Sequence, residues 1–226
     1  LDELRKTGAI HIPEVIMHSE AGKYAFLILE FIEAGQAGKD FWHNFGQSLA
    51  ALHRNSSETF GFRSDNYMGS LPQSNKAEKD FCSFFINRRL LPQIKAARDA
   101  QHLSSAHVSA FENLFTRLPS IIPEEKPALI HGDLWSGNFM VNAAGNACIF
   151  DPAVSYSHRE ADLAMTKLFG GFSPEFYISY NTAFPPEKSW QERTDIFNLY
   201  PLLVHVNLFG ASYVQDVLRI IAPFRR

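Results

Sequence analysis

Between residues 131 and 138 the chain reads His-Gly-Asp-Leu-Trp-Ser-Gly-Asn, which sets a carboxylate, Asp133, five residues before a carboxamide, Asn138. A further carboxylate, Asp151, follows thirteen residues later and is succeeded by Pro152. Three oxygen-bearing side chains of these types suit phosphoryl transfer: one carboxylate orients and deprotonates an attacking hydroxyl, while an Asn and an Asp hold Mg²⁺ on the phosphates. Hard oxygen donors match Mg²⁺, which keeps several waters and takes few protein groups. Gly132-Asp133 or Gly137-Asn138 alone would read as turn residues, because Asp, Asn and Gly favour turns for local reasons. A turn explains neither the spacing nor a second strand that ends in Asp151-Pro152. The joint pattern is that of a site assembled at one edge of paired strands.

Those residues need elements to hold them. Ala128–Ile130, Phe139–Val141 and 147–150 read as short strands, the last two joined as a hairpin through Asn142-Ala-Ala-Gly-Asn146. Upstream, residues 10–15 and 24–32 read as strands. Residues from Asp40 onward then take helical spacing, with Phe41, Phe45, Leu49 and Leu52 on one face. Phe81, Phe84, Phe85 and Leu91 predict a second helix ending at Pro92. Val108, Phe111, Leu114, Phe115 and Leu118 predict a third, ended by Pro119. Gly61 to Asn75, rich in Gly, Ser and Asn, reads as an ordered surface loop. After residue 160 the pattern is helical to the C-terminus.

The bulk properties narrow the field. At 226 residues and 46% hydrophobic, the chain can bury a substantial core, and 20 Phe suggest helices packed by large side chains. Its 21 basic and 24 acidic residues are intermixed, which argues against a nucleic-acid partner. No apolar run reaches the ~20 residues of a membrane span, and the first residues lack a signal-peptide core. Cys82 and Cys148 lie among apolar neighbours and read as free core thiols, as expected in a reducing cytoplasm.

The segment 131–138 resembles the catalytic loop of the fructosamine kinase family, a branch of the protein-kinase-like fold that includes aminoglycoside phosphotransferases and choline kinases. Asp65-Asn-Tyr-Met-Gly-Ser-Leu-Pro-Gln73, Arg88-Arg-Leu-Leu-Pro-Gln93, His158-Arg-Glu-Ala-Asp-Leu-Ala164 and Asn207-Leu-Phe-Gly210 are similar to that family as well. The resemblance implies an α+β fold: a remnant of an N-terminal β lobe and hinge over residues 1–33, then a mostly helical C-terminal catalytic lobe with short β-hairpins over 34–226. It implies ATP and Mg²⁺, a small-molecule or protein-bound ketosamine as substrate, and phosphorylation of a sugar hydroxyl leading to deglycation. Asp133 would be the catalytic base, Asn138 and Asp151 the metal ligands, and Glu30, Phe31 and Ile32 the hinge that meets adenine. Trp135 would line the sugar pocket, with His205 and Asn207 as further substrate candidates. Asp162 would brace the catalytic loop from behind. His53 and His131 read as structural, since an Asp base needs no imidazole.

Two expectations accompany the resemblance. A glycine-rich loop and a lysine paired with a helix glutamate normally precede the strand at Tyr24 in this fold, and neither is present. Gly35-Gln-Ala-Gly38 reads as a connector between lobes. The chain is therefore expected to be a trimmed piece with impaired turnover on its own. The alternative functions are a kinase of another small alcohol, such as an aminoglycoside or choline, and a non-catalytic, pseudokinase-like binding module.

Overall fold

In the computed structural model, which describes residues 1–225, one helical turn, α1 (Asp2–Arg5), leads into an antiparallel hairpin of β1 (Val15–Ala21) and β2 (Tyr24–Leu29). The strand expected over 10–15 is displaced. His11 makes only an isolated bridge to Cys148, and the ladder begins at Val15, because Pro13 has no N–H to give it. The second strand also ends early, at Leu29; Glu30 still donates its backbone N–H to the Glu14 carbonyl at 2.8 Å, and residues 31–32 lie beyond the ladder. Apolar side chains of this hairpin, among them Ile16, Leu27 and Ile28, are exposed.

Helix α2 (Phe41–His53) follows as the spacing predicts, burying Phe41, Phe45, Leu49 and Leu52. The stretch 61–75 is more ordered and more interior than a surface loop. It holds a small hairpin, β3 (Asn66–Met68) with β4 (Leu71–Gln73), and both Gln73 and Asn75 are buried. The predicted helix over 81–91 is split into α3 (Phe81–Phe84) and a π-helical turn, Phe85–Leu90. Pro92 opens rather than closes a helix, standing in the first turn of α4 (Leu91–Asp99), where its missing N–H is harmless. Pro119 likewise lies inside α5 (Ser105–Ile121), within its last turn.

The centre of the chain forms two two-stranded ladders: β5 (Ala128–Ile130) with β8 (Ser155–Ser157), and β6 (Phe139–Val141) with β7 (Ala147–Ile149). The hairpin β6–β7 was legible in the sequence; the return of Ser155–Ser157 onto β5 was not. Helices α6 (Glu160–Leu168), α7 (Pro174–Ala183), α8 (Trp190–Phe209) and α9 (Val214–Ile221) complete the chain.

Two buried clusters organise these elements. One joins α3, α4, α5, α8 and α9 through Phe84, Ile94, Phe111, Leu114, Leu203 and Ile221. The other holds α2, α7 and the central strands through Phe45, Leu49, Leu129, Phe176 and Tyr180. In the latter, the Phe139 ring lies 5.2 Å from both Phe45 and Phe172, edge-on to the first and tilted to the second. Such pairs add to the stabilisation from area burial, and they clamp β6 directly beside Asn138.

Candidate active site

Strand β5 delivers the chain into residues 131–138, and β7 delivers it to Asp151, so two buried strands end beside one another with their acids at the same edge. Gly132 has φ +83°, and a Cβ there would collide with the carbonyl oxygen of Ala153. Glycine is therefore required where the loop carrying Asp133 crosses the segment that follows Asp151. Asp151 itself has φ +57°, a conformation that Asp tolerates better than most residues.

The carboxamide of Asn138 ties the three predicted groups together. Its Nδ2 donates to the Asp133 carbonyl at 2.8 Å, to Asp133 Oδ2 at 3.1 Å and to the Asp151 carbonyl at 3.5 Å. With the nitrogen so engaged, Oδ1 is left as an acceptor. Asp133 is half-buried, and its pKa is pushed up to about 6, chiefly by burial. The bond from Asn138 works against that rise, while the charges of Asp151 and Asp162 add to it. A carboxylate crowded by two others is an environment that favours a cation nearby. The exposed Asp151 carboxylate and the free Asn138 oxygen are hard donors suited to Mg²⁺.

Beneath the loop lies a fully buried brace. Asp162 accepts the backbone N–H of His131 on Oδ2 and that of Gly132 on Oδ1, both at 2.8 Å. His53 Nε2 approaches Oδ2 at 3.1 Å, and His53 Nδ1 lies 2.8 Å from the Tyr180 hydroxyl. Burial raises the Asp162 pKa, but the bond and charge of His53, with the His131 and Gly132 contributions, outweigh it and hold the pKa below the usual value. His131 Nδ1 accepts the Asp133 N–H at 3.2 Å, and its Nε2 donates to the Phe150 carbonyl at 3.0 Å. His131 thus holds backbone directly, while His53 acts on the loop only through the side chain of Asp162.

Glu30, Phe31 and Ile32 line a cleft of about 920 Å³ together with Leu29, Phe150 and Asp151. Hinge candidates and one metal candidate therefore face a common space. On the other side of the loop, Trp135 folds its indole over Gly137, where any Cβ would strike the ring. Trp135 meets Phe169 edge-on at 5.8 Å, Phe169 lies 5.3 Å from His205, and His205 lies 4.8 Å from Tyr213. His205 Nδ1 donates to the Pro201 carbonyl at 2.7 Å, which leaves Nε2 as an acceptor. Trp135 and His205 thus belong to one aromatic group, bridged by a Phe169 that sequence reasoning missed. Asn207 does not join it. Its amide nitrogen donates to the carbonyl and side-chain oxygens of Gln93 on α4, at 3.0 and 2.7 Å.

A second acidic group, Glu125, His158 and Glu160, gathers oxygen and nitrogen atoms within 4.8 Å. It does not have the character of a metal centre. Arg159 holds both oxygens of Glu125, and Arg193 holds both oxygens of Glu160. His158 Nδ1 accepts the Glu160 N–H, so its proton resides on Nε2 and no lone pair faces the acids.

Comparison with known proteins places the chain among relatives and solved structures. The family model described as fructosamine kinase matches residues 1–225. A probable ketoamine kinase of Enterococcus faecium is 40% identical over 227 residues, covering 99% of this chain and 81% of that protein. The crystal structure of a protein named as a fructosamine-3-kinase from Thermobifida fusca superposes with a TM-score of 0.83 at 33% identity, covering 94% of this chain and 73% of that one. The ADP-bound aminoglycoside phosphotransferase APH(2'')-Ib has a TM-score of 0.60 at 13% identity, covering 97% of this chain and 79% of its own, a similarity of fold.

Proposed function

The chain belongs to the fructosamine kinase family, with its protein-kinase-like fold, and on that premise we propose that it takes part in ATP-dependent phosphorylation of a sugar hydroxyl on ketosamines. The observation that carries the proposal is the placement of Asn138. Its nitrogen binds Asp133 and the Asp151 carbonyl while its oxygen stays free, so base and metal-ligand positions share one hydrogen-bonded frame.

In this reading Asp133 receives the hydroxyl of the sugar, orients it and accepts its proton as the phosphoryl group transfers. The pKa of about 6 leaves Asp133 ionised at neutral pH yet basic enough to draw on that proton. Asn138 Oδ1 and the Asp151 carboxylate would hold Mg²⁺, which supplies charge neutralisation on the phosphates when bound. The backbone of Glu30 to Ile32 receives the adenine edge, and the neighbouring apolar side chains Leu29 and Phe150 exclude water from the base. Trp135 offers a flat face to the sugar, and His205 offers an Nε2 acceptor to one of its hydroxyls. Asp162 keeps the His131 and Gly132 amides fixed, so that Asp133 does not reorganise during transfer.

The test is Asp133→Asn in the full-length protein, assayed with ATP against a panel of ketosamines, an aminoglycoside and choline. The expected outcome is a fall in ketosamine turnover of roughly 10²–10⁴-fold with ATP binding retained. Unchanged turnover would remove Asp133 from the base position. A wild-type preference for aminoglycoside or choline would overturn the substrate.

A further inference from the structure

Residues 64–75, within the stretch 61–75 read from sequence as an ordered surface loop, are wired into the interior by side chains that the phosphoryl-transfer reading leaves without a role. Gln73, buried at the end of β4, uses its whole carboxamide. Nε2 donates to Asn66 Oδ1 at 2.8 Å and to the Ala153 carbonyl at 3.1 Å, and Oε1 accepts the Tyr200 hydroxyl at 2.8 Å. The Ala153 carbonyl stands at a crossing point. It lies two residues beyond Asp151, and it is the oxygen against which Gly132 packs, immediately before Asp133. Asn66 extends the attachment by donating Nδ2 to the Val154 carbonyl at 2.8 Å.

The stretch is itself held from behind. Arg89, buried in the π-helical turn, donates to the Ser74 carbonyl at 2.6 Å and to Asn75 Oδ1 at 2.7 Å. Its guanidinium lies 4.4 Å over Phe84 and 5.6 Å from the ring of Tyr200. Asn75 in turn donates to Asn66 Oδ1 at 2.9 Å and to the Ser64 carbonyl at 3.1 Å. Every hydrogen bond that leaves Arg89 ends on a neutral oxygen. A buried cation spent on neutral acceptors is costly to maintain unless the geometry it fixes matters. π-turns, moreover, occur often at functional sites.

Resting on the kinase reading above, we propose that Gln73 is a positioning residue: oriented by Tyr200 and by the segment that Arg89 fastens, it sets the separation of Asp133 from Asp151 through the Ala153 carbonyl. Only a carboxamide satisfies all three contacts. A carboxylate would turn an acceptor toward the Ala153 carbonyl and Asn66 Oδ1, and an aliphatic chain would strand the Tyr200 hydroxyl. Displacements of about 1 Å at reacting groups can cost on the order of 10²-fold in rate, so this contact acts on catalysis without touching substrate.

The experiment compares wild type, Gln73→Glu and the milder Tyr200→Phe in the full-length protein, by amide hydrogen exchange and by steady-state kinetics. We expect exchange to quicken in the segments 131–133 and 153–157 of Gln73→Glu while α5 and α9 keep wild-type protection. The kcat should fall roughly 10–100-fold and the Mg²⁺ concentration for half-maximal rate should rise. The ketosamine KM should stay within about threefold, since Gln73 makes no substrate contact. Tyr200→Phe should move the same quantities less. Exchange that quickens uniformly along the chain, or local loosening with unchanged kcat and Mg²⁺ dependence, would overturn the proposal and leave Gln73 a brace of the fold. A wild-type protein inactive on ketosamines would refute the substrate reading instead; the exchange pattern, measured without substrate, would still decide whether Gln73 fixes the two segments.

Discussion

Replacing Asp162 by Asn changes one oxygen into an NH₂ group with almost no change of shape, and the geometry around it fixes the cost. Oδ2 serves two donors, the His131 N–H and His53 Nε2, while Oδ1 serves the Gly132 N–H. The amide keeps most bonds by setting its oxygen in the Oδ2 position, which points its NH₂ at the Gly132 N–H. One charge-assisted bond is lost, worth about 1.5–3 kcal/mol, and a buried N–H is left facing another donor at about 1–3 kcal/mol. The two surviving bonds weaken from charged to neutral, whereas burying a neutral amide relieves part of the desolvation cost of the carboxylate. The net expectation is a destabilisation of about 2–4 kcal/mol, or a fall in Tm of roughly 5–15 °C for a chain of this size. Urea and thermal unfolding measure it, and kcat measured well below Tm should fall as well, because the freed Gly132 amide adjoins Asp133. A loss under about 1 kcal/mol with unchanged kcat would refute the argument that this carboxylate holds the loop.

Asp151→Ala should weaken nucleotide binding in the presence of Mg²⁺ and leave Mg²⁺-free binding nearly unchanged, as calorimetry with and without the ion would show; equal losses in both conditions would exclude a metal role. Trp135→Ala should raise the KM for a ketosamine well above any change in that for ATP, and parallel changes in both would indicate misfolding. Acid should destabilise the protein through His158, whose pKa burial lowers to about 4, opposed by Glu125 and reinforced by Arg159 and Arg193. Because the unfolded side chain binds its proton near pH 6.5, the unfolded state holds more protons between about pH 6.5 and 4. Stability contributed by neutral His158 is thus full above that window and is lost as pH falls through it, by up to a few kcal/mol. His158→Phe should flatten the dependence of Tm on pH across the window; an unaltered slope would assign the acid sensitivity to other groups.

Elements whose signals are local were legible in the residue order. The spacing of Phe41, Phe45, Leu49 and Leu52 is a property of one helix face, and the pairing of Phe139–Val141 with Ala147–Ile149 follows from a short turn between two apolar runs. The types and spacing of Asp133, Asn138 and Asp151 were legible for the same reason: they sit in the two loops that those strands close. Prolines were misread because the consequence of a missing N–H depends on whether a carbonyl is waiting for it. Pro92 stands in the first turn of α4, where its N–H would have no partner within that helix, and Pro119 lies in the last turn of α5, which runs only two residues further. Only the tertiary structure could show that Ser155–Ser157 returns to β5, that His53 on α2 meets Asp162 and Tyr180, each more than a hundred residues further along the chain, and that Asn207 turns to Gln93. The stretch 64–75 gave its composition but not its burial. Gly, Ser and Asn look alike in a solvated loop and in a buried network, and what separates the two is whether distant partners such as Arg89, Tyr200 and the Ala153 carbonyl arrive to satisfy them.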